Sequence, residues 1–145
     1  MCSSDLTGSA SVPFYPEVPG IAGNPRVLHS GDFLNCMGYD RKRVLVIGGG
    51  NSAAELCNEL AGTARTMMCT RGPLRYFSES GELDHIRGSS ESVLKELFRF
   101  GILSLREADP VVSLSGGTAE FASGARERFD WIGRASCRER VSRCV

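Results

Sequence analysis

The run Arg43-Val44-Leu45-Val46-Ile47-Gly48-Gly49-Gly50-Asn51-Ser52-Ala53-Ala54-Glu55-Leu56 constrains this chain more than any other feature. Four consecutive apolar residues, three of them β-branched, read as a buried strand, and Ala53, Leu56, Cys57 and Leu60 open an amphipathic helical repeat. Between them the G-x-G-x-x-A spacing predicts a dinucleotide-binding turn. Gly48 lets the chain turn sharply after the strand, Gly50 leaves bare backbone against a pyrophosphate, and Ala53 is small enough for close helix-strand packing. The phosphates would rest on the N–H groups at the helix start. The plainer alternative is a tight strand-to-helix turn with no ligand.

The two ends do not read as natural protein sequence. One back-translation of Cys2-Ser3-Ser4-Asp5 is TGC TCT TCC GAT, and its reverse complement encodes Ile-Gly-Arg-Ala, the residues at Ile132 to Ala135. Continued in frame, ATC GGA AGA GCG TCG TGT AGG GAA AGA GTG gives Ile132 to Val141, which resembles read-through of a short-read sequencing adapter. The partner adapter would supply the other end, with a GTG codon read as Met1. Residues 1–6 and 132–145 are therefore expected to be adapter-derived and poorly packed, Ser142 to Val145 by position alone.

Thr7 to Trp131 leaves roughly 125 residues, enough for one domain. Removing Arg134, Arg138, Arg140 and Arg143 from 17 basic residues, and Asp5 and Glu139 from 17 acidic ones, leaves 13 against 15. That balance gives no support for a nucleic-acid or anionic-membrane partner. Cys36, Cys57 and Cys69 form no C-x-x-C pair and no metal-ligand spacing, so they read as reduced thiols of a cytoplasmic protein. No stretch has transmembrane length.

Ser11 to Gly23 carries Pro13, Pro16, Pro19 and a Pro19-Gly20 turn, and is expected to be an extended connector. Regular structure is expected from Arg43 onward: a strand over 43–47, a helix over 52–60 stopped by Gly62, and a strand over 66–70 joined by a parallel crossover. Ser78 to Ser90 is polar. Ser90 caps a predicted helix with Val93, Leu94, Leu97 and Phe98 on its apolar stripe, closed by Gly101. Strands are expected over 102–106, 111–115 and 118–122, with a Gly116-Gly117 hairpin turn, and a last one over 127–131.

Thr7-Gly8-Ser9, the proline connector, Leu28-His29-Ser30 and Arg43 to Glu55 resemble the junction and NADPH-binding domain of flavin-dependent monooxygenases of the FMO-like and Baeyer-Villiger-like branches, within the pyridine nucleotide-disulfide oxidoreductase superfamily. Thr7-Gly8 is similar to the end of that family's first alanine-threonine-glycine motif, and Arg128-Phe129-Asp130 to the approach to the second. Its F-x-G-x-x-x-H-x-x-x-[YF] fingerprint falls on Gly23 to Phe33: His29 and Phe33 fit, while Gly23 and Pro25 replace phenylalanine and glycine. The resemblance implies an α/β fold, a truncated Rossmann-like nucleotide-binding domain with a parallel βαβ core and an antiparallel β-meander. It divides the chain into a connector from a missing FAD domain at 7–42 and an NAD(P)H-binding domain at 43–131. It implies a parent in which NADPH reduces FAD and the reduced flavin activates oxygen toward a small-molecule substrate. The segment alone is expected to be inactive. A disulfide reductase-type flavoprotein and a non-enzymatic NAD(P)-binding module are the alternatives.

An NAD site places a carboxylate at the end of the second strand, roughly 20 residues past the glycines. Thr70 and Arg71 stand there instead. A guanidinium holds a phosphate through two hydrogen bonds, so Arg71 favours NADPH, with Arg75 a weaker second candidate; a solvated arginine at a strand end is the plain alternative. The cofactor-binding set is therefore Gly48, Gly49, Gly50, Asn51, Ser52, Ala53, Thr70 and Arg71, where Asn51 and Ser52 either bond the pyrophosphate or cap the helix. His29 reads as a structural hydrogen-bonding residue, and His85 as exposed. Glu79, Glu82 and Asp84 have no metal-ligand spacing and read as a solvated loop. No catalytic side chain and no metal site are expected.

Overall fold

A computed structural model of the chain describes residues 18–76 and 88–135. The apolar run forms the strand expected of it, β2 (Arg43–Ile47), after a short β1 (Val27–His29) and a 3-10 turn over Ser30–Asp32. The chain continues through α1 (Asn51–Leu60), β3 (Arg65–Cys69), α2 (Gly88–Arg99), β4 (Leu103–Arg106), β5 (Val111–Ser115), β6 (Thr118–Phe121), β7 (Arg126–Arg128) and β8 (Trp131–Arg134). Five strands pair in the order β1-β8-β2-β3-β4, all parallel, and β5-β6-β7 form a separate antiparallel sheet.

Alternation along β2 explains the three layers, because successive side chains of a strand face opposite sides. Val44 and Val46 join Ala53, Leu56, Cys57 and Leu60 of α1 and Leu94 of α2 in one apolar cluster. Leu45 joins Val111, Leu114, Ala119, Phe121 and Phe129 of the meander in the other. The parallel sheet is thus covered on both faces, which is why β2 reads as an unbroken apolar run. The Gly116-Gly117 turn appears as expected, with Ser115 opposite Thr118.

Several expectations need correction. Val27–His29, assigned to the connector, is a strand that pairs with β8. The helix expected to be capped by Ser90 already begins at Gly88, so Ser90 lies inside it. The single strand expected over 127–131 is two strands in different sheets, because the chain crosses at Phe129-Asp130. There Phe129 N–H donates to Gly117 O (2.7 Å), Asp130 N–H to Arg43 O (2.8 Å), and Arg43 N–H to Asp130 Oδ2 (2.9 Å). The expectation of a poorly packed tail fails for residues 132–135. Ile132 is fully buried, Gly133 lies opposite Val46, and Arg134 and Ala135 are buried, because backbone pairing fills a central slot whatever the side chains. Residues 7–17, the polar stretch over 77–87 with His85, Glu79, Glu82 and Asp84, and residues 1–6 and 136–145 lie outside the described residues.

At the N-terminal side, the Pro19-Gly20 turn closes with Ile21 N–H donating to Val18 O (3.2 Å), and Gly20 takes φ +94°. A side chain at Gly20 would collide with the Leu114 carbonyl. Asn24 Nδ2 bridges Gly20 O and Gly116 O, both at 2.9 Å, and so ties the connector to the meander.

Candidate functional site

In the sequence β4-β3-β2-β8 the strand order reverses at β2: the chain leaves β2 for β3 and β4 on one side, and β8 occupies the other. Ligands of open α/β sheets bind at such a reversal, beyond the carboxyl ends of the strands. The carboxyl end of β2 is Ile47, followed directly by the glycine turn. The sheet topology and the sequence motif therefore select the same point.

The turn is tight for identifiable reasons. Gly48 adopts φ +145°, and an added Cβ would lie 3.0 Å from the Ala135 carbonyl oxygen and 3.4 Å from Ala53 Cβ. The backbone of β8 and the first turn of α1 both press on this residue, so its glycine and the small Ala53 serve one close approach. Gly48 N–H donates to Cys69 O (3.0 Å) and Ala135 N–H to Ile47 O (3.1 Å), which holds three strand ends together. A Cβ at Gly49 would meet Thr70 Cγ2 at 3.2 Å, so the turn is seated on the end of β3.

Helix α1 starts at Asn51 with Gly50 as its N-cap, a residue without a side chain to cap it. A helix cannot satisfy its first N–H groups from within, and its dipole favours an anion there. Neither Asn51 nor Ser52 is the N-cap. Asn51 Nδ2 donates to Glu55 Oε2 (2.8 Å) along the helix. The first turn of α1 contains no acidic residue, which leaves its electrostatic preference for an anion unopposed from within that turn.

Thr70 and Arg71 follow β3 as the sequence predicted, yet with different roles. Thr70 is 3% exposed, and its hydroxyl donates to Gly72 O (2.6 Å) and accepts weakly from Ala108 N–H (3.4 Å). It therefore shapes the loop. Arg71 is exposed, with no hydrogen bond or ion pair to another described residue. Arg75 is also exposed.

Sequence reading missed the β4–β5 loop. Leu74 N–H donates to Glu107 Oε2 (2.6 Å), and Asp109 N–H donates to Thr70 O (3.3 Å). Arg106 pairs with Asp109 (2.8 Å) and Glu127 (3.3 Å) and stacks over Phe121 (4.2 Å). Hydrogen bonding from Ser123 holds the Asp109 carboxyl below its usual range, against some desolvation, and Arg106 adds to the effect. Glu107-Ala108-Asp109-Pro110 reads as an ordinary turn, with no local pattern to reveal these contacts.

The remaining candidates behave as structural residues. His29 Nδ1 accepts from Gly31 N–H (3.1 Å) and caps the 3-10 turn, in keeping with its reading as a structural histidine. Phe33, Tyr39 and Trp131 form a chain of ring contacts with centroids 5.5 and 5.9 Å apart. Burial pushes the Cys57 thiol far up and Cys69 up to about 11, and the Cys69 thiol donates to Asp109 O (3.3 Å). Both are poor nucleophiles at neutral pH. Among the described residues no cluster of His, Cys, Asp and Glu could hold a metal, and no helix is long and apolar enough to cross a membrane.

Comparison with known proteins agrees with this architecture. A trimethylamine monooxygenase of Pelagibacter ubique (strain HTCC1002) is 30% identical over 119 residues, 76% of this chain and 25% of that protein. A second from Pelagibacter sp. (strain HTCC7211) is likewise 30% identical over 119 residues, so the chain spans about a quarter of the length of the curated relatives it matches. A flavin-containing monooxygenase from Stenotrophomonas maltophilia superposes with a TM-score of 0.71 at 22% identity, over 92% of this chain and 41% of that one. A bacillithiol disulfide reductase from Bacillus cereus superposes with a TM-score of 0.70 at 25% identity, over 84% of this chain and 36% of that one. The family model of pyridine nucleotide-disulphide oxidoreductases matches residues 7–127, and with the glycine turn seated at the reversal of a parallel sheet, the chain belongs to that family.

Proposed function

We propose that the chain is the NADPH-binding portion of a flavin-dependent monooxygenase, working in the cytoplasm on a small-molecule substrate together with an FAD domain of the same polypeptide. The observation that carries this reading is the coincidence of the Gly48 turn, the carboxyl end of β2 and the start of α1 at the sheet's point of reversal. Gly48, Gly49, Gly50 and Ala53 would bring backbone against the pyrophosphate, with Asn51 and Ser52 at the helix start. Arg71 would receive the phosphate on the ribose, and Thr70 would serve the site by shaping the loop that carries Arg71. When bound, the nucleotide supplies the hydride that a flavin needs before it can activate oxygen. This chain's residues bind and orient, and none is assigned a proton transfer. The trimethylamine monooxygenase relatives support oxygenation over disulfide exchange.

The test is nucleotide discrimination. Arg71→Asp removes a charge-assisted contact and adds repulsion to the same phosphate, so NADPH affinity should fall about ten- to a hundredfold while NADH changes little. Titration of both nucleotides by fluorescence reads this directly. Equal losses would leave Arg71 a solvated strand-end residue and remove the case for NADPH.

We further propose that residues 1–6 and 132–145 are adapter-derived. The matching back-translations support this, as does the family match, which runs from 7 to 127. A guanidinium only 4% exposed in a central strand, as at Arg134, is an unusual choice for such a position. Genomic DNA from the source organism should diverge from this chain before Thr7 and after Trp131. Recovering the Gly133-Arg134-Ala135-Ser136-Cys137 run from it would refute the proposal.

A further inference from the structure

The segment that carries Arg71 is held at its far end, where Pro73 has a ring-locked φ and Leu74 is buried in the cluster shared with α1. Gly72, next to Arg71, has no steric hold: a Cβ added there would meet nothing within 4 Å. Further order comes from the neighbouring β4–β5 loop. Thr70 N–H donates to Arg106 O (3.0 Å), Asp109 N–H to Thr70 O (3.3 Å), and Ala108 N–H to Thr70 Oγ1 (3.4 Å). Past Arg71, the Thr70 hydroxyl grips Gly72 O (2.6 Å), and the Glu107 carboxylate accepts the Leu74 N–H (2.6 Å). Ala108 takes φ +56°, a left-handed conformation that costs an alanine energy and that turns the chain immediately after Glu107.

We infer that Glu107 is a positioning residue for nucleotide specificity. The β4–β5 loop holds the Thr70 backbone before Arg71, and Glu107 pins Leu74 while the Thr70 hydroxyl pins Gly72 after it, so the chain is held on both sides of Arg71 and the guanidinium is presented from a fixed base. The inference rests on the reading of Arg71 as the phosphate ligand and adds to it a residue from the β4–β5 loop. The Glu107 carboxylate accepts a short backbone hydrogen bond from Leu74 and so acts as an anchor for the loop. Arginine reaches a phosphate bidentately only when its stem is held, so loosening the loop should cost the nucleotide that carries the extra phosphate and spare the one that lacks it.

The experiment titrates the full chain and its variants with NADPH and with NADH, with a thermal melt of each variant as a control for folding. Glu107→Ala should lower NADPH affinity about tenfold and leave NADH within about twofold. Glu107→Gln, whose amide oxygen can accept the same N–H, should retain the wild-type preference. Thr70→Val, which removes the other anchor, should show the same selective loss as Glu107→Ala and serves if the latter folds poorly. The double variant Arg71→Ala/Glu107→Ala should bind NADPH no more weakly than Arg71→Ala, since a clamp without its arginine has nothing to present. Equal losses for both nucleotides in Glu107→Ala and Thr70→Val, or additive losses in the double variant, would overturn the clamp and leave Arg71 standing. An Arg71→Ala variant that keeps full discrimination would overturn the reading beneath it and the clamp as well.

Discussion

Leu45→Ala should destabilise the fold by about 2–5 kcal/mol, the range for deleting a buried leucine side chain where the surroundings collapse only in part. Leu45 is fully buried at the middle of β2, with Met67 of β3 and Ile132 of β8 as its lateral neighbours. Its side chain shares a buried cluster with Phe121, Phe129 and Leu114 of the meander. Strands paired on both flanks of β2 limit how far the site can collapse into the cavity. Native domains hold only about 5–15 kcal/mol in reserve, so the melting temperature should fall by many degrees. Urea or thermal unfolding measures it. A loss under about 1 kcal/mol would mean that the meander does not press on the sheet as described.

Gly48→Val should abolish nucleotide binding without regard to the ribose phosphate. The residue sits at φ +145°, where a β-branched side chain is strained, and the new atoms would push against Ala135 O and Ala53 Cβ. The turn must then move away from the helix start. Losing two backbone hydrogen bonds to an anion, at about 1.5–3 kcal/mol each, corresponds to a hundredfold or greater fall in affinity. The fall should be the same for NADPH and NADH, the opposite of the Arg71→Asp pattern, so the two variants together separate pyrophosphate from ribose phosphate contacts. Retention of affinity within a few-fold would show that the turn makes no contact with the nucleotide.

The parts of the fold legible in the sequence are those whose cause is local. Val44 to Ile47 with the glycines behind them yield β2 and the start of α1 within a residue, because a β-branched run, a turn and an amphipathic repeat follow one another without ambiguity. Gly116-Gly117 announces its hairpin in the same way. What was hidden depends on residues far along the chain. Val27–His29 is a half-buried strand only because β8 lies beside it. The break at Phe129-Asp130 has no turn signal of its own and is imposed by Gly117 and Arg43, which capture consecutive N–H groups into different sheets. In the site, the glycines and Arg71 could be named from spacing, but Glu107 reaches Leu74 between the loops that follow two neighbouring strands, and the hydroxyl of Thr70 turns out to serve the loop. Such contacts follow from packing, which single-residue patterns do not encode.

The position of β8 also dictates an order of assembly. This strand forms the seam between β1 and β2, yet Ile132 meets a partner, Val27, roughly a hundred residues earlier. While the chain is being made, β1 waits for its one partner among the described strands, and the flank of β2 that β8 will cover stays unpaired through the synthesis of α1, α2 and the meander. The βαβ units can form early from local contacts, but the sheet closes only when residues 131–134 arrive. During that interval the bare flank of β2 is a place where a strand from another molecule could pair, so yield in expression should depend on how quickly that gap is filled.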